Sequence, residues 1–210
     1  MGRRFHELAF TRLVKEHQKE HGSRSQYERM EQSGPLGNTL GPAEQDFIQR
    51  RDSFYMASVS ETGWPYVQHR GGPKGFVRIL EPGLLGFADL RGNKQYVSLG
   101  NLEHETRVAL FFMDYPNQTR LKILGRVSIH EHDEKAAALI ESFSSIDKSD
   151  VVERVILIHV EAIDWNCPQY ITPRYTIEEL QDVLAPVREK LATLEAENAA
   201  LRCKLSEPVK

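Results

Sequence analysis

Two short stretches of this chain combine cations, amides and glycines in a way that suits an anion. Gln68-His69-Arg70-Gly71-Gly72-Pro73-Lys74 follows the strand-like run from Trp64 to Val67. Phe87-Ala88-Asp89-Leu90-Arg91-Gly92-Asn93-Lys94 follows Leu84-Leu85-Gly86. Arg70, Lys74, Arg91 and Lys94 offer charge-assisted hydrogen bonds, and Gly71 and Gly72 allow a backbone to approach a ligand closely. Tyr96, Val97, Leu99 and Leu102 recur at helical spacing, so a helix is expected from Asn93. Its free N–H groups and dipole would favour negative charge at the same place. Taken alone, the stretch from Phe87 reads better as a solvated βα turn that happens to be basic. Two such stretches in one short domain point to a single phosphate group held between them.

The elements that would position these residues are mostly strands. Phe54 to Val59 and Trp64 to Arg70 flank the turn Ser60-Glu61-Thr62-Gly63, and Phe76 to Leu80 and Leu84 to Ala88 flank Glu81-Pro82-Gly83. Val108 to Met113 is apolar on both faces. Arg120 to His130 alternates, with Leu121, Ile123, Val127 and Ile129 on one side and Arg120, Lys122 and Arg126 on the other. A helix is expected over Ala136 to Phe143 and a long β-branched strand over Val151 to Ile163. Six to seven short antiparallel strands with two helical insertions predict a small barrel, mostly β with flanking helices, rather than a parallel α/β fold. In front of the barrel, an amphipathic helix on Phe5, Leu8, Ala9 and Leu13 should end by Gly22. The polar stretch from Gly22 to Gly41 reads as a linker or surface wrap, and Pro42 can open a short helix ending near Arg50. The expected division is 1–45 for the N-terminal helix and linker, 46–166 for the barrel and 167–210 for a helical extension.

Composition sets limits. The 210 residues carry a formal net charge of −3, so no global basic field favours nucleic acid. No apolar run approaches the roughly 18 residues of a membrane span, and charges interrupt any signal-like start, so neither a membrane nor a secretory role is expected. Only Cys167 and Cys203 occur, without metal-ligand spacing, which suits a reduced cytoplasmic protein. His130 and His132 lack a third ligand on their face and read as solvated, so no metal site is expected. Cys167, before Pro168, has no basic neighbour to activate it and reads as packing. Tyr66, Phe87, Tyr96 and Trp165 have the ring chemistry to stack on a flat ligand, but such aromatics also serve as core.

The order of these features resembles the flavin-nucleotide-binding split-barrel family of pyridoxamine 5'-phosphate oxidase. The resemblance runs from Asp46 to Asp164. It rests on the Gln68-His69-Arg70 and Phe87-Ala88-Asp89-Leu90 strand ends, on Asn93-Lys94 opening a helix, and on the strands Val108 to Phe112 and Arg120 to Gly125. It implies an antiparallel split barrel that binds FMN. The cofactor would be held among Gln68, His69, Arg70, Gly71, Ala88, Asp89, Asn93, Lys94 and Arg120. Arg70, Asn93 and Lys94 are assigned to the phosphate, and Arg120, with Lys122 beside it, to the ring. It also implies a homodimer with the flavin at the subunit interface. The oxidase members carry a C-terminal Arg-x-His-type substrate motif that is missing here, so efficient oxidation of pyridoxamine 5'-phosphate is not expected. Flavin-dependent oxidoreduction of a small molecule is the reading carried forward. A non-catalytic flavin or haem binding module, and a deazaflavin-dependent reductase on the same barrel, stay open.

Past the barrel, Ile177, Leu180, Leu184, Val187, Leu191, Leu194, Leu201 and Leu205 alternate spacings of three and four, with Asn198 filling the gap. This is a heptad pattern with Asn198 at an a position. Pro186 is expected to start a new helix, leaving roughly 20 residues for pairing with a second copy.

Overall fold

The computed structural model describes residues 2–131, 134–143, 152–165 and 168–206. It divides into two compact units, one of residues 1–114 and 118–171 and one of residues 115–117 and 172–210.

The first unit is built on seven strands: β1 (Ser53–Val59), β2 (Pro65–Gly71), β3 (Arg78–Glu81), β4 (Leu84–Leu90), β5 (Arg107–Asp114), β6 (Thr119–His130) and β7 (Val152–Trp165). They form one sheet in the order β2-β1-β5-β6-β7-β4-β3, and each neighbouring pair is antiparallel. β2 lies at one end of that order and β4 next to the other, yet Arg70 of β2 reaches Asp89 of β4 at 2.5 Å. Phe54 of β1 likewise packs edge-on against Phe87 of β4 at 5.3 Å. The sheet has therefore rolled until its two ends meet through side chains, which is the expected split barrel. Its interior is filled by Phe54, Met56, Phe87, Phe112, Leu121, Ile123 and Ile158, all at most 1% exposed. β6 keeps the predicted alternation, with Leu121, Ile123 and Val127 buried and Arg126 outside. Gly125 stands at a register shift of β6 against β7, where a Cβ would meet the His159 carbonyl oxygen at 2.7 Å.

β7 is apolar on both faces because both are covered. Ile156 and Ile158 enter the barrel, while Val155 and Leu157 join Phe143 of α6 (Glu134–Phe143) in a second small core. The helix expected at Pro42 is present, with Pro42 in its first turn and ending at Gln49.

Several expectations shift. The N-terminal stretch forms three helices, at Arg3–Ala9, Arg12–Glu20 and Arg24–Ser33, so part of the supposed linker is helical. The last of these has almost no apolar face to signal it. It is held instead by Arg24, which donates to both carboxylate oxygens of Glu31 at 2.8 and 2.6 Å. The third strand begins at Arg78 rather than Phe76; Phe76 and Val77 are buried ahead of it. The helix expected from Asn93 begins four residues later, as α5 (Val97–His104). Cys167, His132 and Asp133 lie outside the described residues.

In the second unit a single helix, α7 (Ile177–Ser206), runs 30 residues straight through Pro186, so the expected restart does not occur. Proline removes one backbone bond and crowds the carbonyl four residues back. That residue, Asp182, is exposed, so water can take up its carbonyl. No helix among the described residues is long and apolar enough to cross a membrane.

Candidate functional site

The two basic strand ends do converge. One pocket is lined by Gln68, Arg70, Asp89, Gly92, Asn93, Lys94, Tyr96 and Ser98. A neighbouring one is lined by His69, Arg70, Gly71, Phe76, Ala88 and Asp89. Arg70 and Asp89 form the wall between them. The alternation of β2 explains the division. Gln68 and Arg70 pair in register with the buried Met56 and Phe54, whereas His69 pairs with Tyr55 on the outer face, its ring 5.6 Å from the tyrosine.

Beneath the pocket lies a charge cluster that strand alternation alone does not disclose. Asp89 and Arg154 face each other across β4 and β7. Asp89 accepts from Arg70 Nη1 through Oδ1 (2.5 Å) and from Arg154 Nη1 through Oδ2 (2.7 Å). Arg154, 4% exposed, also donates to Glu131 at 3.1 Å and Glu153 at 3.2 Å. Burial works against its charge, but its hydrogen bonds to Glu131 and Asp89 outweigh that and hold its pKa above the ordinary arginine range. Arg91 binds Glu153 at 3.1 Å. Arg70, Arg91 and Arg154 thus meet Asp89, Glu131 and Glu153, three charges of each sign, while Lys94, which lines the same pocket, makes no ion pair among the described residues. The Arg70 Nε is buried without a hydrogen-bond acceptor, a donor that a bound anion or water would satisfy.

The loop above this cluster is unusual in its backbone. Lys94 and Tyr96 adopt left-handed conformations, at φ 60° and 53°. Such residues cost on the order of 1–3 kcal/mol each and concentrate at ligand sites. Gly92, in the same loop, has a negative φ and open space where a Cβ would stand. Gly72, expected to admit a ligand, is instead required by packing, since a Cβ there would meet Phe76 Cγ at 2.7 Å. Asn93 accepts the Gln95 N–H at 3.2 Å. α5 is anchored by Ser98, which donates to Gln68 at 2.5 Å, and by Asn101, which donates to Ser58 at 3.0 Å. Ser98 and Leu99, in its first turn, line the same pocket as Gln68.

Arg120 lines neither pocket. It pairs with Met113 across β5 and β6, with its guanidinium 5.9 Å from the Phe111 ring. It belongs to the outer face of the sheet, where His69, Tyr55, Phe111 and Lys122 stand in one cross-strand row. Trp165 is committed elsewhere: its indole N–H donates to Glu44 at 2.7 Å and it packs edge-on against Phe47. Arg154 escaped the sequence reading because it sits in an apolar β-branched run. The signal available was a lone cation in a strand otherwise buried on both faces. Among the described residues, His17, Glu20 and His21 are the one group with metal-ligand spacing, all exposed at the C-terminal end of the second helix.

The family model for pyridoxamine 5'-phosphate oxidase matches residues 40–166, more than half of the chain. Among solved structures, a variant of HupZ from Group A Streptococcus is 16% identical, with 60% of this chain and 99% of that chain covered at a TM-score of 0.50. A Lactobacillus delbrueckii protein described as a candidate pyridoxamine 5'-phosphate oxidase is 22% identical, covering 60% of this chain and 94% of that chain, at 0.49. An FMN-binding protein from Syntrophomonas wolfei is 10% identical, covering 70% and 96%, at 0.46. Comparison with curated proteins returns no significant match.

Proposed function

This chain belongs to the pyridoxamine 5'-phosphate oxidase family, and from that premise we propose that it binds FMN and acts as a flavin-dependent oxidoreductase on a small molecule. The observation that carries the reading is the convergence of Arg70, Asn93 and Lys94 on one pocket, with a buried Arg70 N–H still lacking an acceptor. A phosphate there would meet Lys94 directly, and Arg70 is already oriented by its bond to Asp89. The bound flavin would supply the redox chemistry; the chain's own residues bind it, orient it and set the charge around it.

The outer face favours a homodimer. Tyr55, Val59 and Val67 are exposed there beside Phe111, an apolar surface of the kind that marks an interaction site. Arg120 and Lys122 border that face, so a second copy packed on it would bring their positive charge to the flavin ring. The two cysteines and the absence of metal-like cysteine spacing fit a reduced cytoplasmic setting.

Titration with FMN and with riboflavin tests this. Lys94→Ala should weaken FMN binding by about 1.5–3 kcal/mol, roughly ten- to a hundredfold in Kd. Riboflavin, which lacks the phosphate, should bind wild type and variant alike. Unchanged FMN affinity removes Lys94 from the site. A purified protein whose absorbance is that of haem or of a deazaflavin would replace FMN in the proposal.

A further inference from the structure

We propose that α7 pairs in parallel and in register with α7 of a second copy of this chain, forming a two-stranded coiled coil. The inference stands on the helix itself and does not depend on the flavin reading.

With Leu184 as a, positions Ile177, Leu184 and Leu191 are a, and Leu180, Val187, Leu194 and Leu201 are d. All seven lie between 40% and 77% exposed, so one chain leaves these seven in water. The structure makes this seam longer than the sequence alone suggests, because the helix continues through Pro186. Pro186 falls at c, away from the seam, where its missing N–H and ring leave the contact surface intact. The helix then spans about 45 Å at 1.5 Å per residue.

Three features select a second copy of the same helix as the occupant. A parallel pair places each g residue beside the e residue five positions on in its partner. Here Lys190 meets Glu195, and Glu197 meets Arg202, so both flanks are complementary to themselves. Asn198, at a, meets its own twin only when the helices are parallel and unshifted. Within its own chain the Asn198 Oδ1 accepts from Arg202 Nε at 2.7 Å, so it is the amide NH2 that faces Leu or Val unpaired in any other arrangement, a cost that favours this orientation and register. Finally, Lys190 and Glu195 make no ion pair within their own chain among the described residues. Both are left available to a partner.

Site-specific crosslinking of the full chain tests the pairing independently of any barrel dimer. In a background with Cys167 and Cys203 replaced by Ser, Asn198→Cys should oxidise to a disulfide-linked dimer, whereas Thr193→Cys, at c, should stay monomeric on the gel. Two charge variants provide the second arm. Lys190→Glu with Glu197→Lys repels itself, as does Glu195→Lys with Arg202→Glu, but each complements the other. Mixed, they should form heterodimers well above random pairing. Crosslinking at Asn198→Cys no faster than at Thr193→Cys, or random mixing of the charge variants, overturns the proposal.

Discussion

The charges around Asp89 and those along α7 solve opposite problems. At Asp89, ions from β2, β4 and β7 are buried together, and almost every one is matched inside the same chain. Along α7 the charges are exposed, and Lys190 and Glu195 make no ion pair within their chain among the described residues; the apolar residues between them are exposed too. The first region is complete in one copy and is vulnerable to losing a member. The second leaves its apolar positions exposed in one copy, and the pairing proposed above would make its energetics depend on how much protein is present. Burial, rather than the number of charged residues, separates the two: an ion taken from water must be paired at once, whereas a solvated one can wait for a partner.

The largest expected effect breaks the buried cluster. Arg154→Met removes a guanidinium that serves Asp89, Glu131 and Glu153, leaving carboxylates in a low-dielectric site with fewer donors. Breaking such a buried pair costs about 3–5 kcal/mol. We expect the lower end, because Asp89 keeps Arg70. Denaturant unfolding should show the loss, and a change within about 0.5 kcal/mol, typical of surface sites, would mean the cluster is not structural.

A smaller, pH-dependent effect comes from a buried group that has no hydrogen-bond partner among the described residues. His6 is 1% exposed, stacks on Phe10 at 4.6 Å, and neither ring nitrogen finds a hydrogen bond. Burial holds its pKa below the ordinary value of 6.5, although Glu31 and Asp164 pull the other way. A lowered folded pKa means that the unfolded chain takes up the proton first. The stability is therefore whole above about pH 6.5 and declines as pH falls from there toward the folded pKa. His6→Phe should flatten the unfolding profile as pH falls below about 6.5. Equal slopes in wild type and variant would place the titration elsewhere.

What could be read in advance follows the same division. The barrel strands were legible because alternation along β6 and the apolar run of β7 report burial residue by residue. The convergence of the basic strand ends was legible, since Gln68, Arg70, Asn93 and Lys94 do line one pocket. The start of α5 was not, because the left-handed turns at Lys94 and Tyr96 carry no glycine to announce them. Nor was the role of Arg154, whose partner Asp89 lies 65 residues away in sequence and becomes its neighbour only through strand pairing. The continuity of α7 was hidden by Pro186, whose cost is small where the freed carbonyl is solvated.

The smallest expected effect tests the other side of the comparison, and its size is part of the argument. Lys190 and Glu195 are exposed, so their pairing across a dimer should contribute only about 0.2–1 kcal/mol and weaken with salt. A coupling that small usually says little. Here the spacing gives it meaning, because residues five apart on one helix do not face each other, whereas those three or four apart do. A double-mutant cycle of Lys190→Ala and Glu195→Ala therefore has no intrachain interaction to report, and coupling in the dimer dissociation constant must come from the partner. Lys190→Ala with Arg202→Ala provides the control. Those residues belong to different g–e pairs, so their effects should add. Additivity in both cycles would leave the α7 charges as solvated decoration. Coupling in the first alone would show that charges exposed in one copy are matched in two.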